Sequence, residues 1–309
     1  VGRGGCDPSG AAQRPRQKMS HLSMAPFRIT SPALAARKHV ARVGTVGVSL
    51  RKQKMSRVRS FSVCAAAGKI AVFGGSGGTG SEVIYQALEQ GYEVVTLART
   101  PSKVTIPPGS GGEAKAGTPF NNPNLTVIQG NVTNAADVAK VISADTTGVV
   151  VSLGGKTKDV GETMLTDGTT NVINSMKKEG VKRVAVVTSI GVGDSSNQAP
   201  IVFKLLMMTV MKKIFNDKNN QEALFLNGPG KDLEYTLVRP GGLLETAPTG
   251  VVNVIQGEAG SIARADVAEF CLGAILDDKF PYLKQTPCIS SVGGTSWVKD
   301  RGDKGMMEA

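Results

Sequence analysis

The run Gly74-Gly75-Ser76-Gly77-Gly78-Thr79-Gly80, directly behind the apolar Lys69-Ile70-Ala71-Val72-Phe73, constrains this chain more than any other feature. Glycines 74, 77 and 80 make a GxxGxxG spacing. Between a strand and a helix, such a loop aims backbone N–H groups and the positive end of the helix at a dinucleotide pyrophosphate. A glycine-rich heptapeptide alone is weak evidence, and its flanks give it weight. A helical stretch from Ser81 to Gln90 follows, stopped by Gly91. Glu93-Val94-Val95-Thr96-Leu97-Ala98 then supplies a second strand and closes a βαβ unit.

The alternation continues. Leu125 to Gln129 is predicted as the third strand, Ala135 to Ser143 as a helix, Val149 to Leu153 as the fourth strand, and Thr163 to Glu179 as a helix ended by Gly180. Arg183 to Thr188 and Tyr235 to Val238 supply the fifth and sixth strands. Short, continuous apolar strands separated by helices predict a parallel sheet covered on both faces. The expected fold class is therefore α/β, a Rossmann-type doubly wound sheet in a single domain over 68–309. The Pro- and Gly-rich stretch from Thr100 to Pro123 is expected as a flexible surface loop. Residues 201–215 are apolar but broken by Lys204, Lys212 and Lys213. They predict a buried or lid helix, with peripheral membrane contact as the alternative.

The formal charge of +11 suggests a nucleic-acid binder until it is divided along the chain. Residues 1–67 hold 13 Lys or Arg and one acid, Asp7, whereas 68–309 carry 23 basic residues against 24 acidic ones. The basicity belongs to the N-terminal segment, so nucleic acid is not an expected partner. That segment is rich in Arg, Ser and Ala and has no apolar periodicity, the composition of an organelle transit peptide. A plastid presequence read from Met19 with cleavage near Cys64, delivering the protein to the chloroplast stroma, is the expectation; a mitochondrial presequence is the alternative. No apolar run long enough for a transmembrane helix is present in the sequence.

Both histidines, His21 and His39, lie in that segment. A Ser-His-Asp hydrolase, a Cys-His pair and a His-ligated metal are thereby excluded from 68–309. Cys271 and Cys288 lack CxxC spacing, and Cys271 is expected as a buried apolar residue on a helix.

NAD-selective sites place an acid at the end of the second strand to hold the ribose 2′-OH. Here that strand runs into Ala98-Arg99-Thr100. Arg99 can pair with a 2′-phosphate, with Lys103 adding charge nearby, so NADP(H) is expected over NAD.

With these residues in place, the chain resembles the atypical short-chain dehydrogenase/reductases with an NmrA-like NAD(P)-binding fold, and in particular their biliverdin-IXβ reductase/flavin reductase branch. The resemblance rests on 69–80, Gly91-Tyr92-Glu93-Val94, Gly130-Asn131-Val132, Val187-Thr188-Ser189, 233–242 and Arg264-Ala265-Asp266-Val267-Ala268. It implies that Gly74, Gly77, Gly78, Thr79 and Gly80 hold the pyrophosphate. Asn131 and Val132 would border the adenine, and Leu153 and Gly154 would line the cofactor. Thr188 and Ser189 would face the nicotinamide, with Pro240 and Gly241 on its far side.

The chain also departs from the wider family. Four residues beyond Tyr85, Tyr92, Tyr235 and Tyr282 stand Glu89, Thr96, Arg239 and Thr286, so the Tyr-x-x-x-Lys acid/base pair is missing. Hydride transfer to a flavin-, quinone- or tetrapyrrole-like acceptor makes smaller demands on the protein. Ser189, as a hydrogen-bond donor, and Lys218, in a Lys-x-x-x-Glu stretch, are the candidate catalytic residues. The expected protein is a monomeric NADP(H)-dependent reductase of a small conjugated molecule. The rival is a non-catalytic NADP-binding scaffold or assembly factor of plastid complexes.

Overall fold

A computed structural model describes residues 68–154, 161–199, 204–205, 209, 211–250, 252–255 and 260–291. The transit-peptide expectation for 1–67 and, of the apolar stretch 201–215, most of 201–210 lie outside the described residues; Lys212 to Phe215 open a helix there.

β1 (Lys69–Phe73) pairs in parallel with β2 (Glu93–Ala98) on one side and with β4 (Thr146–Val151) on the other. Its side chains alternate between two apolar layers, as the two-residue period of a strand requires. Ile70 and Val72 enter the layer covered by α1 (Gly78–Glu89) and α6 (Arg264–Leu276). Ala71 and Phe73 enter the layer covered by α4 (Met164–Glu179) and α5 (Lys212–Leu226). Burial of both faces explains why these strands read as unbroken apolar runs.

β3 (Leu125–Gln129), β5 (Arg183–Val187) and β6 (Glu234–Pro240) complete the expected six strands. The sheet continues into β10 (Cys288–Ser290) and β8 (Asn253–Val254), in the order β3-β2-β1-β4-β5-β6-β10-β8. Only β8, against β10, is antiparallel. β7 (Gly242–Leu244) and β9 (Ser261–Ala263) form a separate parallel pair.

Several boundaries differ from expectation for local reasons. α1 starts at Gly78 rather than Ser81, because Ser81 N–H already bonds Gly77 O at 2.9 Å and the glycine run makes the first helical turn. The helix expected over Ala135–Ser143 shortens to α3 (Ala135–Val138). Beyond it the bonds tighten to Lys140 N–H on Asp137 O and Val141 N–H on Val138 O, which carries Val141 and Ile142 into the core. β4 begins three residues before the expected Val149 and ends at Val151, and Ser152 N–H still bonds Phe73 O at 2.8 Å. α4 stops where expected, with Gly180 left-handed at φ +75°.

The stretch 100–123, expected as a flexible loop, is fastened to α1. Its short helix α2 (Pro108–Gly111) is capped by buried Glu82, which accepts Gly109 N–H at 3.0 Å and Ser110 N–H at 2.9 Å. Gln86 Nε2 adds a bond to Ser110 Oγ at 2.8 Å. Cys271 is buried on α6 as expected, and burial pushes its thiol up to about 12.

Candidate functional site

The chain runs outward through β1, β2 and β3, then returns to place β4 on the other side of β1. Beyond the carboxyl ends of β1 and β4, at that switch point, a crevice opens. It is a cleft of about 570 Å³, within the range of small-molecule sites. Each of the first five strands ends at it: Phe73 and the glycine loop after β1, Arg99 after β2, Gly130 to Thr133 after β3, Ser152 to Gly154 after β4, and Thr188 after β5.

The loop glycines answer to different constraints. Gly74 has φ +94°, and a Cβ there would fall 2.2 Å from Ser152 O, so the close approach of β1 and β4 requires glycine. A Cβ on Gly80 would fall 2.1 Å from Gly74 O, so this residue lets α1 pack onto the end of β1. At Gly77 a Cβ would meet only Gly74 O, at 3.3 Å. Gly74, Gly77, Gly78 and Thr79 line the cleft, whereas Gly80 is buried behind it. The first turn of α1, with its N–H donors and positive end, therefore borders a space a dinucleotide can fill.

Arg99 is exposed at the end of β2 and lines the cleft. Lys103 is exposed on the turn Pro101–Lys103, outside the lining. Asn131 and Val132 line the wall beyond β3, where Asp137 accepts Asn131 N–H at 3.0 Å and shapes the turn. The Lys140 ammonium, with that backbone bond, lowers the pKa of Asp137. Leu153 and Gly154 line the opposite wall. Pro240 and Gly241 do not: Pro240 O accepts Ile190 N–H at 3.1 Å and Gly241 N–H bonds Ile289 O at 3.1 Å, behind the sheet end.

The two candidate catalytic residues part company. Ser189 lies outside the lining, and its hydroxyl donates to Ile190 O at 3.0 Å. Lys218 lines the cleft from α5, and its ammonium donates to Thr188 O at 3.0 Å. Burial lowers its pKa to about 8 against the upward pull of Glu222 and Asp217. Thr188 is fixed in turn, its hydroxyl donating to Glu222 Oε1 at 2.7 Å. Four residues before Lys218 stands Ile214, so this helix keeps a lysine at the cleft without a tyrosine one turn earlier.

Sequence reasoning missed Arg264 as a cleft residue, although its motif contributed to the resemblance. Arg264 opens α6, lines the cleft, and donates from Nη1 to Thr79 Oγ1 at 3.2 Å. Among the described lining residues there is no Asp or Glu, while Arg99, Lys218 and Arg264 supply three cations. A glycine-floored crevice of this volume, with these cations along its described wall, fits a dinucleotide bearing several phosphate charges.

A mostly parallel doubly wound sheet with this crevice at its switch point defines the class, a Rossmann-type dinucleotide-binding fold. The chain belongs to the NAD(P)H-binding family, whose model matches residues 74–278. An uncharacterized chloroplastic protein of Arabidopsis thaliana is 30% identical over 225 residues, 68% of this chain and 73% of that one. The fold is shared with ChuY, an anaerobilin reductase of Escherichia coli O157:H7 (TM-score 0.54, 24% identity, 72% of this chain and 97% of that chain). It is also shared with a wide-type short-chain dehydrogenase/reductase of Veillonella parvula in complex with NADP (TM-score 0.54, 13% identity, 73% and 95% coverage).

Proposed function

We propose that the protein is an NADP(H)-dependent reductase that delivers hydride to a small, planar, conjugated acceptor of the flavin, quinone or tetrapyrrole kind in the chloroplast stroma. The observation that carries this reading is the cleft whose described lining holds no acid, with Arg99 at the end of β2, the glycine loop at its floor and partly desolvated Lys218 beside Thr188. Gly77, Gly78 and Thr79 would take the pyrophosphate on backbone N–H groups, with Gly74 and Gly80 shaping the turn. Arg99 would hold the 2′-phosphate, with Lys103 adding charge from outside the wall. Asn131 and Val132 would flank the adenine, and Leu153, Gly154 and Thr188 the nicotinamide half. The bound nicotinamide supplies the hydride. Lys218 holds a proton at Nζ that it can present to an acceptor near neutral pH. Met164 and Val187 cover that end of the cleft with apolar surface.

The composition of residues 1–67 and the chloroplastic relative support the plastid location. The NADP complex of one structural neighbour and the reductase activity named for another support the cofactor and the reaction class. The test is NADPH and NADH consumption by the purified protein against a panel of flavins, quinones and linear tetrapyrroles. Oxidation of NADPH by at least one acceptor, with NADH much weaker, is expected. Tight NADPH binding with no turnover on any acceptor would favour the scaffold reading instead.

A further inference from the structure

We propose that Arg264 is a pyrophosphate-gripping residue, reaching from α6 across the first turn of α1 to the phosphates of the dinucleotide. The inference rests on the cofactor reading above and assigns a cationic partner to a part of the ligand otherwise left to backbone N–H groups.

Three observations converge on it. The Arg264 side chain lies directly on Gly78, where an added Cβ would sit 2.8 Å from Arg264 Cδ and 2.9 Å from Nε. Gly78 is not one of the spaced loop glycines and has no positive φ. The arginine crosses at that point, and any side chain at 78 would have to displace it.

The guanidinium is incompletely satisfied. Its Nη1 donates to Thr79 Oγ1, but its Nε is buried and makes no hydrogen bond among the described residues. The nearest carboxylate oxygen, Glu245 Oε1, stands 3.7 Å from Nε on a side chain 65% exposed. That is too long for a hydrogen bond and too solvated to anchor the arginine. A buried cationic donor beside a cleft whose described lining residues include no acid calls for an anion from the ligand.

The arginine also stands on a firm base. Ile262 and Ala263, just before it, are buried. Asp266, two residues on, accepts Thr249 N–H at 2.8 Å, Gly250 N–H at 3.0 Å and Ser291 Oγ–H at 3.2 Å. These bonds tie the β9–α6 junction to two other segments, so the guanidinium is placed before any ligand arrives.

Because the pyrophosphate is common to both dinucleotides, the test is calorimetric titration of the full chain with NADPH and with NADH, alongside ligand-free thermal melting. Arg264→Ala should weaken both by a similar factor, about 10- to 150-fold for a lost charge-assisted contact. Arg264→Lys should recover part of that loss, and added salt should shrink it. Arg99→Ala, run in parallel, should weaken NADPH alone. A loss confined to NADPH would place Arg264 on the 2′-phosphate and overturn the inference. A lowered melting temperature with unchanged affinities would make it a structural clamp between α6 and α1, which also overturns it. Wild-type protein that binds neither dinucleotide would remove the cofactor reading itself, and this inference with it.

Discussion

Arg239 and Glu222 meet as a doubly bonded ion pair in the interior, Nη2 to Oε2 at 2.6 Å and Nε to Oε1 at 3.0 Å, with both side chains only 2% exposed. The pair joins β6 to α5 beneath the cleft. Glu222 Oε1 also accepts the Thr188 hydroxyl, and Thr188 O accepts the Lys218 ammonium. A buried pair thus sets the position of two cleft residues. Among the described residues, Glu222→Ala leaves the guanidinium with only the exposed Asp194 as a charged partner, and should cost about 3–5 kcal/mol in urea unfolding. Replacing both partners, as Glu222→Leu with Arg239→Met, should recover much of that loss. Equal costs for the single and double variants would mean that the pair is not coupled.

The glycine loop separates folding from binding. Gly80→Ala drives a methyl into Gly74 O and should destabilise the protein by about 1–3 kcal/mol, read by urea unfolding. Gly77→Ala meets only one oxygen at 3.3 Å and should leave stability within about 1 kcal/mol, while weakening NADPH by filling the space the pyrophosphate needs. Unchanged affinity in Gly77→Ala would argue that the ligand does not approach this backbone.

Cofactor choice turns on Arg99. Arg99→Ala should weaken NADPH by about 10- to 150-fold and leave NADH nearly unchanged, as measured by calorimetry. The loss should shrink with salt, because the site is exposed. Arg99→Asp should go further, repelling the phosphate and offering the ribose of NAD an acceptor. Equal losses for both dinucleotides would reduce Arg99 to a structural role.

Lys218 predicts two pH dependences. Its folded pKa of about 8 lies below the ordinary value of 10.5. Between those values the unfolded chain holds a proton that the folded chain has released, so this group makes stability rise with pH across that window. Lys218→Met should lack that rise in urea unfolding. In turnover, a protonated Lys218 makes kcat/KM fall as pH passes through about 8. Lys218→Arg should move the limb higher, and Lys218→Met should give a low, flat profile. A wild-type profile level through this range would remove the ammonium from the reaction.

Much of the fold was legible locally. β1, β2 and β3 fall where the apolar runs placed them, and α4 ends at the glycine that turns left-handed. The edge of the sheet was not legible, because β10 and β8 are three and two residues long and carry no period to detect. The loop over 100–123 looked free because its anchor, the Glu82 carboxylate, belongs to a helix some 27 residues earlier in the chain.

The candidate site divides along the same line. The sequence by itself determined the glycine turn, the arginine at the end of β2 and the absence of an acid there, since these depend on residue type and spacing within one βαβ unit. Only the tertiary structure decided which polar side chains reach the cleft. Ser189 spends its hydroxyl on the neighbouring carbonyl, while Lys218 is desolvated against Thr188 and Glu222. Arg264 comes to rest on Gly78 and Thr79 from 185 residues beyond Thr79. Desolvation and hydrogen-bond partnership are properties of packed neighbours distant in sequence, and these set the charge and reach of each group at the cleft.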